Sequence, residues 1–181
     1  PVAEELAAGI IQRVPFSLET PVRNRPDNTI EVQLPFIKYF FPRARILAMG
    51  VPPTDAALKI GKTTVEVARR LGLTLKVIGS TDLTHYGSNY GFTGHGTGAK
   101  AVAWVTQEND RRIIDAMLAL DSRRLISEAL TNQNACCPGA AAAAIAAGGQ
   151  MGAGKAASIG YATSYERSPA ESFVGYAGIV F

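Results

Sequence analysis

Between Ser80 and Gly87 the chain reads Ser80-Thr81-Asp82-Leu83-Thr84-His85-Tyr86-Gly87, which puts one of only two histidines three residues after an aspartate. Histidine is the commonest metal-ligating side chain, and a carboxylate beside it can ligate the same ion or orient the imidazole. The same pair could instead work as an acid and a base. A turn-forming Asp followed by a surface His gives this spacing too, so the residues alone leave both readings open.

A second chemical signal is Cys136, which precedes Cys137-Pro138-Gly139 at the start of an alanine-rich stretch. A helix N-terminus favours the thiolate, the form that acts as nucleophile or metal ligand. The alternative is a small buried residue. Glu31, in Thr29-Ile30-Glu31-Val32-Gln33-Leu34, is a carboxylate on a mostly apolar segment and is either structural or site-facing.

Two glycine-containing stretches invite a phosphate reading. His95 lies in Gly94-His95-Gly96-Thr97-Gly98-Ala99-Lys100, where backbone NH groups leading into a helix could cradle an anion. The spacing is not that of a phosphate loop, and a loop ending in a helix cap explains the glycines without a ligand. Ala56-Ala57-Leu58-Lys59-Ile60-Gly61-Lys62-Thr63 fits the relaxed phosphate-loop pattern with Ala in first position. Its middle, Ala57 to Ile60, is good helix and cannot turn its NH groups inward, so we reject Lys62 as a nucleotide ligand.

The elements that must carry these residues follow from periodicity. Leu73 to Gly79 is an apolar, partly β-branched run of strand length, so Asp82 and His85 are expected at a strand's carboxyl end, where open α/β sheets build their sites. Arg45 to Val51 predicts a strand buried on both faces. Thr54 caps a helix through Leu71 that joins the two, and strand, helix, strand argues for a parallel sheet with a right-handed crossover. Leu6, Ile10, Ile11 and Val14 give one face of an opening helix over 2–14. Residues 16–28, with Pro21 and Pro26, read as a loop with at most a short edge strand. Asn28 and Thr29 are plausible caps for a helix over 30–40, kinked or restarted at Pro35. A helix from Thr97 or Gly98 to about Leu120 carries a break near Asn109-Asp110, and Asp121 or Ser122 caps another to Leu130. An alanine-rich helix runs from Pro138 to about Met151, and 155–165 and 172–181 form a closing hairpin around Arg167-Ser168-Pro169.

Bulk properties narrow the class. A single domain over 1–181 with 47% hydrophobic and 18% charged residues has enough apolar content for its own core. The net charge of +3 is scattered, which gives no nucleic-acid stripe and no basic membrane anchor. The longest uncharged stretch, 129–154, is mostly Ala and Gly and lacks the large side chains of a bilayer span. With neighbouring cysteines that close no useful loop and no basic-then-apolar leader, a cytoplasmic location is expected.

Taken together, Asp27-Asn28-Thr29-Ile30-Glu31-Val32-Gln33-Leu34-Pro35-Phe36, the segment Ser80 to Gly87, and Cys136 ahead of the alanine helix resemble the Memo family, also called AmmeMemoRadiSam system protein B. Order and spacing match over nearly the whole chain. That family is similar to the class III extradiol (LigB-type) ring-cleaving dioxygenases, which bind non-haem iron. The resemblance implies a three-layer α/β/α sandwich with a mostly parallel central sheet, and a redox protein that binds iron or copper. It also implies AMMECR1-like and radical SAM partner proteins, with a small-molecule or peptide ligand. The family's metal-pocket residues match Asp82, His85 and Cys136, which become the expected metal and catalytic set. A family histidine stands as Asn28 here. Two further metal-binding histidines of the family belong to segments ahead of Pro1, so the chain is expected to lack its front portion. The other reading is a non-catalytic module that keeps a dioxygenase-like scaffold to bind a peptide or partner enzyme.

Overall fold

The computed structural model describes residues 1–19, 22 and 27–181. Helix α1 (Glu4–Ile11) opens the chain and buries Leu6 and Ile10, two of the positions its periodicity marks. Part of the loop expected over 16–28 falls outside the described residues. Asp27, not Asn28 or Thr29, caps α2 (Asn28–Glu31), its carboxylate accepting from the Thr29 N–H. The chain then restarts as α3 (Leu34–Phe40) with Pro35 in its first turn, where a missing N–H breaks no helical bond. Phe36, Tyr39 and Phe40 of α3, with Phe41 just after it, stay exposed.

Helix α4 (Asp55–Arg70) starts at the Thr54 cap as expected, its side-chain oxygen accepting from the Ala56 N–H. Gly61 faces α8 (Pro138–Met151) so closely that a Cβ there would overlap the Ala143 carbonyl. The two helices meet through glycine and alanine, which lets their backbones approach as larger side chains would not. Lys62 and Thr63 lie inside α4, so the rejected phosphate-loop pattern is helix interior.

The expected parallel sheet is corrected. The sheet is antiparallel and three-stranded, in the order β1 (His85–Tyr86), β3 (Phe173–Val180), β2 (Ala157–Thr163). The closing hairpin supplies most of it, with a helical turn, Ser164–Arg167, inserted before the predicted Arg167-Ser168-Pro169 turn. The segments 45–51 and 73–79 do flank α4, but no ladder joins them. Among the described residues, 45–51 makes one isolated parallel bridge, Val2 to Ile46, and 73–79 forms no strand. Burial alternates along 73–79 and over 47–51, and none of 45–51 is fully buried. Apolar content predicted a strand there, whereas a strand also needs a backbone partner, which local sequence does not specify.

Helix α5 (Gly98–Trp104) runs through a π-helical turn, Val105–Asn109, into α6 (Asp110–Leu118), which places the expected break at Asn109-Asp110. Asp121 caps α7 (Ser122–Asn132) through the Arg124 N–H. The largest buried cluster gathers Ala57 of α4, Leu83, Ile113 and Met117 of α6, Leu125 of α7 and Ile145 of α8. The fold is thus mixed α/β. No helix among the described residues is long and apolar enough to cross a membrane.

Candidate metal centre

Residues 83 and 84 are anchored before the chain presents its chemistry. The Leu83 N–H donates to the Gly175 carbonyl at 2.9 Å, and the Gly175 N–H donates back to the Thr84 carbonyl at 3.0 Å. Thr84 is fully buried, and strand alternation then turns the next side chain, His85, outward. His85 Nε2 lies 3.2 Å from Asp82 Oδ2, and both side chains are about one-third exposed (33% and 36%). The Tyr90 ring packs against the imidazole with centroids 4.8 Å apart. Asp82 and His85 therefore sit where the extended segment passes into β1, not at the end of a paired strand.

The opposite side comes from the loop between α7 and α8. The Cys136 N–H donates to the Asp82 carbonyl at 3.1 Å, and the Asp82 N–H donates to Cys136 Sγ at 3.3 Å. Next to them the Cys137 N–H donates to Thr81 Oγ1 at 2.9 Å. These bonds hold the two loops side by side, and one ligand atom from each of Asp82, His85 and Cys136 falls within 4.8 Å of the others. The three residues singled out from sequence are brought together.

Environment separates the two thiols. Burial first, and then the neighbouring Cys136, push the Cys137 thiol up to about 12, which keeps it protonated near neutral pH. Cys136 is exposed and its sulfur faces the Asp82 amide. Burial, followed by the nearby Asp82 and Tyr90, also raises the Tyr176 hydroxyl. Hydrogen bonds from the Thr29 side chain and amide hold the Asp27 carboxyl below its ordinary range. The segment 27–33 reaches the centre through Ser80, whose hydroxyl donates to the Thr29 carbonyl at 2.7 Å. Asn28 and Glu31 on that segment are not in the ligand cluster. An apolar cleft of about 340 Å³ runs beside the extended segment and is lined by Val77, Thr81, Leu83 and Ile145, but not by the three ligand-type side chains.

The chemistry of the donor set fits a transition-metal ion. One imidazole nitrogen, one carboxylate oxygen and one sulfur suit borderline metals, and three protein ligands leave coordination positions open for a small molecule. A ligating histidine usually has its second nitrogen held by a partner, and no such bond to His85 is made by the described residues.

A sequence profile described as Memo-like protein matches residues 1–180. The chain belongs to the Memo-like family. Its curated relatives include a MEMO1 family protein of Thermococcus kodakarensis, 37% identical over 163 residues that make up 86% of this chain and 56% of that protein. One from Pyrococcus abyssi is 33% identical over 187 aligned residues, 99% of this chain and 64% of the relative. Another, from Methanopyrus kandleri, is 31% identical over 185, covering 99% and 60%. The Memo-like chain thus spans about three-fifths of the length of these relatives.

The other candidates stand apart in this family member. His95 stacks on Trp104 with ring centroids 3.4 Å apart, and its backbone N–H donates to the Tyr86 hydroxyl at 2.8 Å, so it is held outside the Asp82, His85 and Cys136 cluster. Thr81, Tyr90 and Tyr176 were not singled out from sequence. Thr81 had a usable signal, being next to the aspartate of the motif, and Tyr90 lies in the turn just after His85, whereas Tyr176 reaches the centre only through tertiary folding.

Proposed function

We propose that this Memo-like protein is a non-haem metal-associated redox protein related to the ring-cleaving dioxygenases, with iron or copper held by Asp82, His85 and Cys136. For the whole protein the proposal includes a three-layer α/β/α sandwich and work in the AmmeMemoRadiSam system beside AMMECR1-like and radical SAM proteins. The observation that carries the metal reading is the approach of a nitrogen, an oxygen and a sulfur donor to within 4.8 Å of one another at a half-open surface. A bound redox ion supplies one-electron chemistry at its open positions. The chain's own residues hold and shield. Thr81 and the Asp82 amide fix the cysteine loop, the Tyr90 ring packs at a tilt against the imidazole, and Asp82 Oδ2 lies within hydrogen-bond reach of His85 Nε2.

Metal analysis after anaerobic reconstitution with ferrous or cuprous ion tests this. About one ion per chain is expected for the wild type, with affinity at least roughly tenfold lower in His85→Ala and Cys136→Ser. Absence of iron, copper and zinc from the reconstituted protein would defeat the proposal.

One observation favours the second reading, a non-catalytic module that binds a peptide or partner enzyme. Phe36, Tyr39, Phe40 and Phe41 are 59% to 79% exposed around a single short helix, an unusual concentration of aromatic surface. A His85→Ala protein that retained partner binding with unchanged metal content would support it.

A further inference from the structure

We infer that Asp110, acting through Thr84, is a positioning residue for the Asp82, His85 and Cys136 centre, and that the π-helical turn before it exists to aim it there. The inference deepens the metal reading, and one arm of its test rests on that reading.

The turn Val105–Asn109 widens the helix by one residue, which breaks the regular register just where Asn109 and Asp110 stand. Both residues are fully buried, and both reach Thr84. Asp110 Oδ1 accepts from the Thr84 N–H at 3.0 Å and from the Thr84 hydroxyl. Asn109 Nδ2 donates to the same hydroxyl oxygen at 3.0 Å. With its carbonyl bonded to Gly175, Thr84 has its amide, carbonyl and hydroxyl all engaged. It is the residue immediately before His85 and two after Asp82.

The same turn holds the other side of the centre. Asn134 Nδ2 donates to the Asn109 carbonyl at 2.9 Å, and Asn134 lies two residues before Cys136. Asn109 Nδ2 also donates to the Asn132 carbonyl at 3.0 Å. One irregular helical turn thus grips the chain beside His85 and the chain beside Cys136, and the separation of those two ligands depends on it. Tyr161 closes the network from β2, its hydroxyl donating to Asp110 Oδ2 at 2.8 Å. Gly175 leaves room for that oxygen, since a Cβ there would overlap it. A side chain serving only to fill space would be apolar, because a buried carboxylate carries a desolvation penalty that packing does not require.

The test compares Thr84→Val, which keeps the shape and removes the hydroxyl, with Thr84→Ser, which restores the hydroxyl, and with Asp110→Asn. Circular dichroism and urea unfolding establish which variants fold. Two readouts are then taken. Long-range ¹⁵N spectra of the ion-free protein report the His85 ring tautomer beside Asp82, and cobalt(II) titration reports the thiolate-to-metal charge-transfer band. In folded Thr84→Val and Asp110→Asn, the His85 tautomer ratio is expected to move away from its wild-type value. Cobalt binding is expected to weaken about tenfold or more, the scale seen when outer partners of metal ligands are removed, and Thr84→Ser should recover both signals. Wild-type tautomer spectra in folded Thr84→Val would overturn the inference, as would loss of folding in all three variants, which would make the network purely structural. If the wild type takes up no cobalt and no iron, copper or zinc, the metal reading fails while the tautomer arm still decides the role of Asp110.

Discussion

Asp110 is a buried acid that receives three hydrogen bonds, and its carboxyl is nevertheless raised. Burial outweighs the bonds from Thr84 and Tyr161 and moves its carboxyl above the ordinary value of 3.8. The native chain therefore keeps this proton to higher pH than the unfolded chain does. Below 3.8 the contribution to stability is complete, and it declines as pH rises through the raised value. Urea unfolding of the wild type and of Asp110→Asn across that window is expected to show a downward slope with pH that the variant lacks; parallel profiles would refute the assignment. At this scale the sequence was informative where a residue type has few uses. Asp82, His85 and Cys136 stood out because histidine and cysteine are scarce in this chain, with two of each. Asp110 did not stand out, because an aspartate in a helical stretch usually faces water.

At the scale of elements, the alanine-rich helix α8 acts by closeness. It is buried all round from Ala141 to Ala147, and it meets α4 at Gly61, where a methyl group would overlap backbone and not a movable side chain. Gly61→Ala is therefore expected to lose about 1–3 kcal/mol by forcing the helices apart, despite its better helix propensity. Chemical denaturation measures it, and a variant as stable as the wild type would show that the helices adjust freely. Helices and the closing hairpin were the legible elements. Thr54 and Asp121 announced their caps, Pro138 and Met151 bounded α8, and the periodicity of 54–71 gave α4 nearly to the residue. Capping and periodicity are local, so a sequence carries them. The π turn was visible only as a break near Asn109-Asp110, since its extra residue is justified by a distant partner, Thr84.

For the whole molecule, what could not be read was pairing beyond the closing hairpin. The runs at 45–51 and 73–79 have strand composition and extended shape, yet the sheet that forms is the antiparallel one built by β1, β2 and β3. Which extended segments pair depends on contacts far apart in sequence, and composition is silent on them. The candidate centre is itself such a contact. Asp82 and Cys136 are 54 residues apart in the chain, and bringing such ends together opposes folding by on the order of 3–4 kcal/mol of chain entropy. An ion gripping both sides would be a clasp across that span, with α5, α6 and α7 inside it. By mass action, a free ion at a hundred times its Kd adds about 2.7 kcal/mol to the folded state. Melting temperature should therefore climb with ion concentration in the wild type and stay flat in Cys136→Ser. Were such an ion stripped away, the effect would reach past the surface, because a tether spanning three helices would go with it.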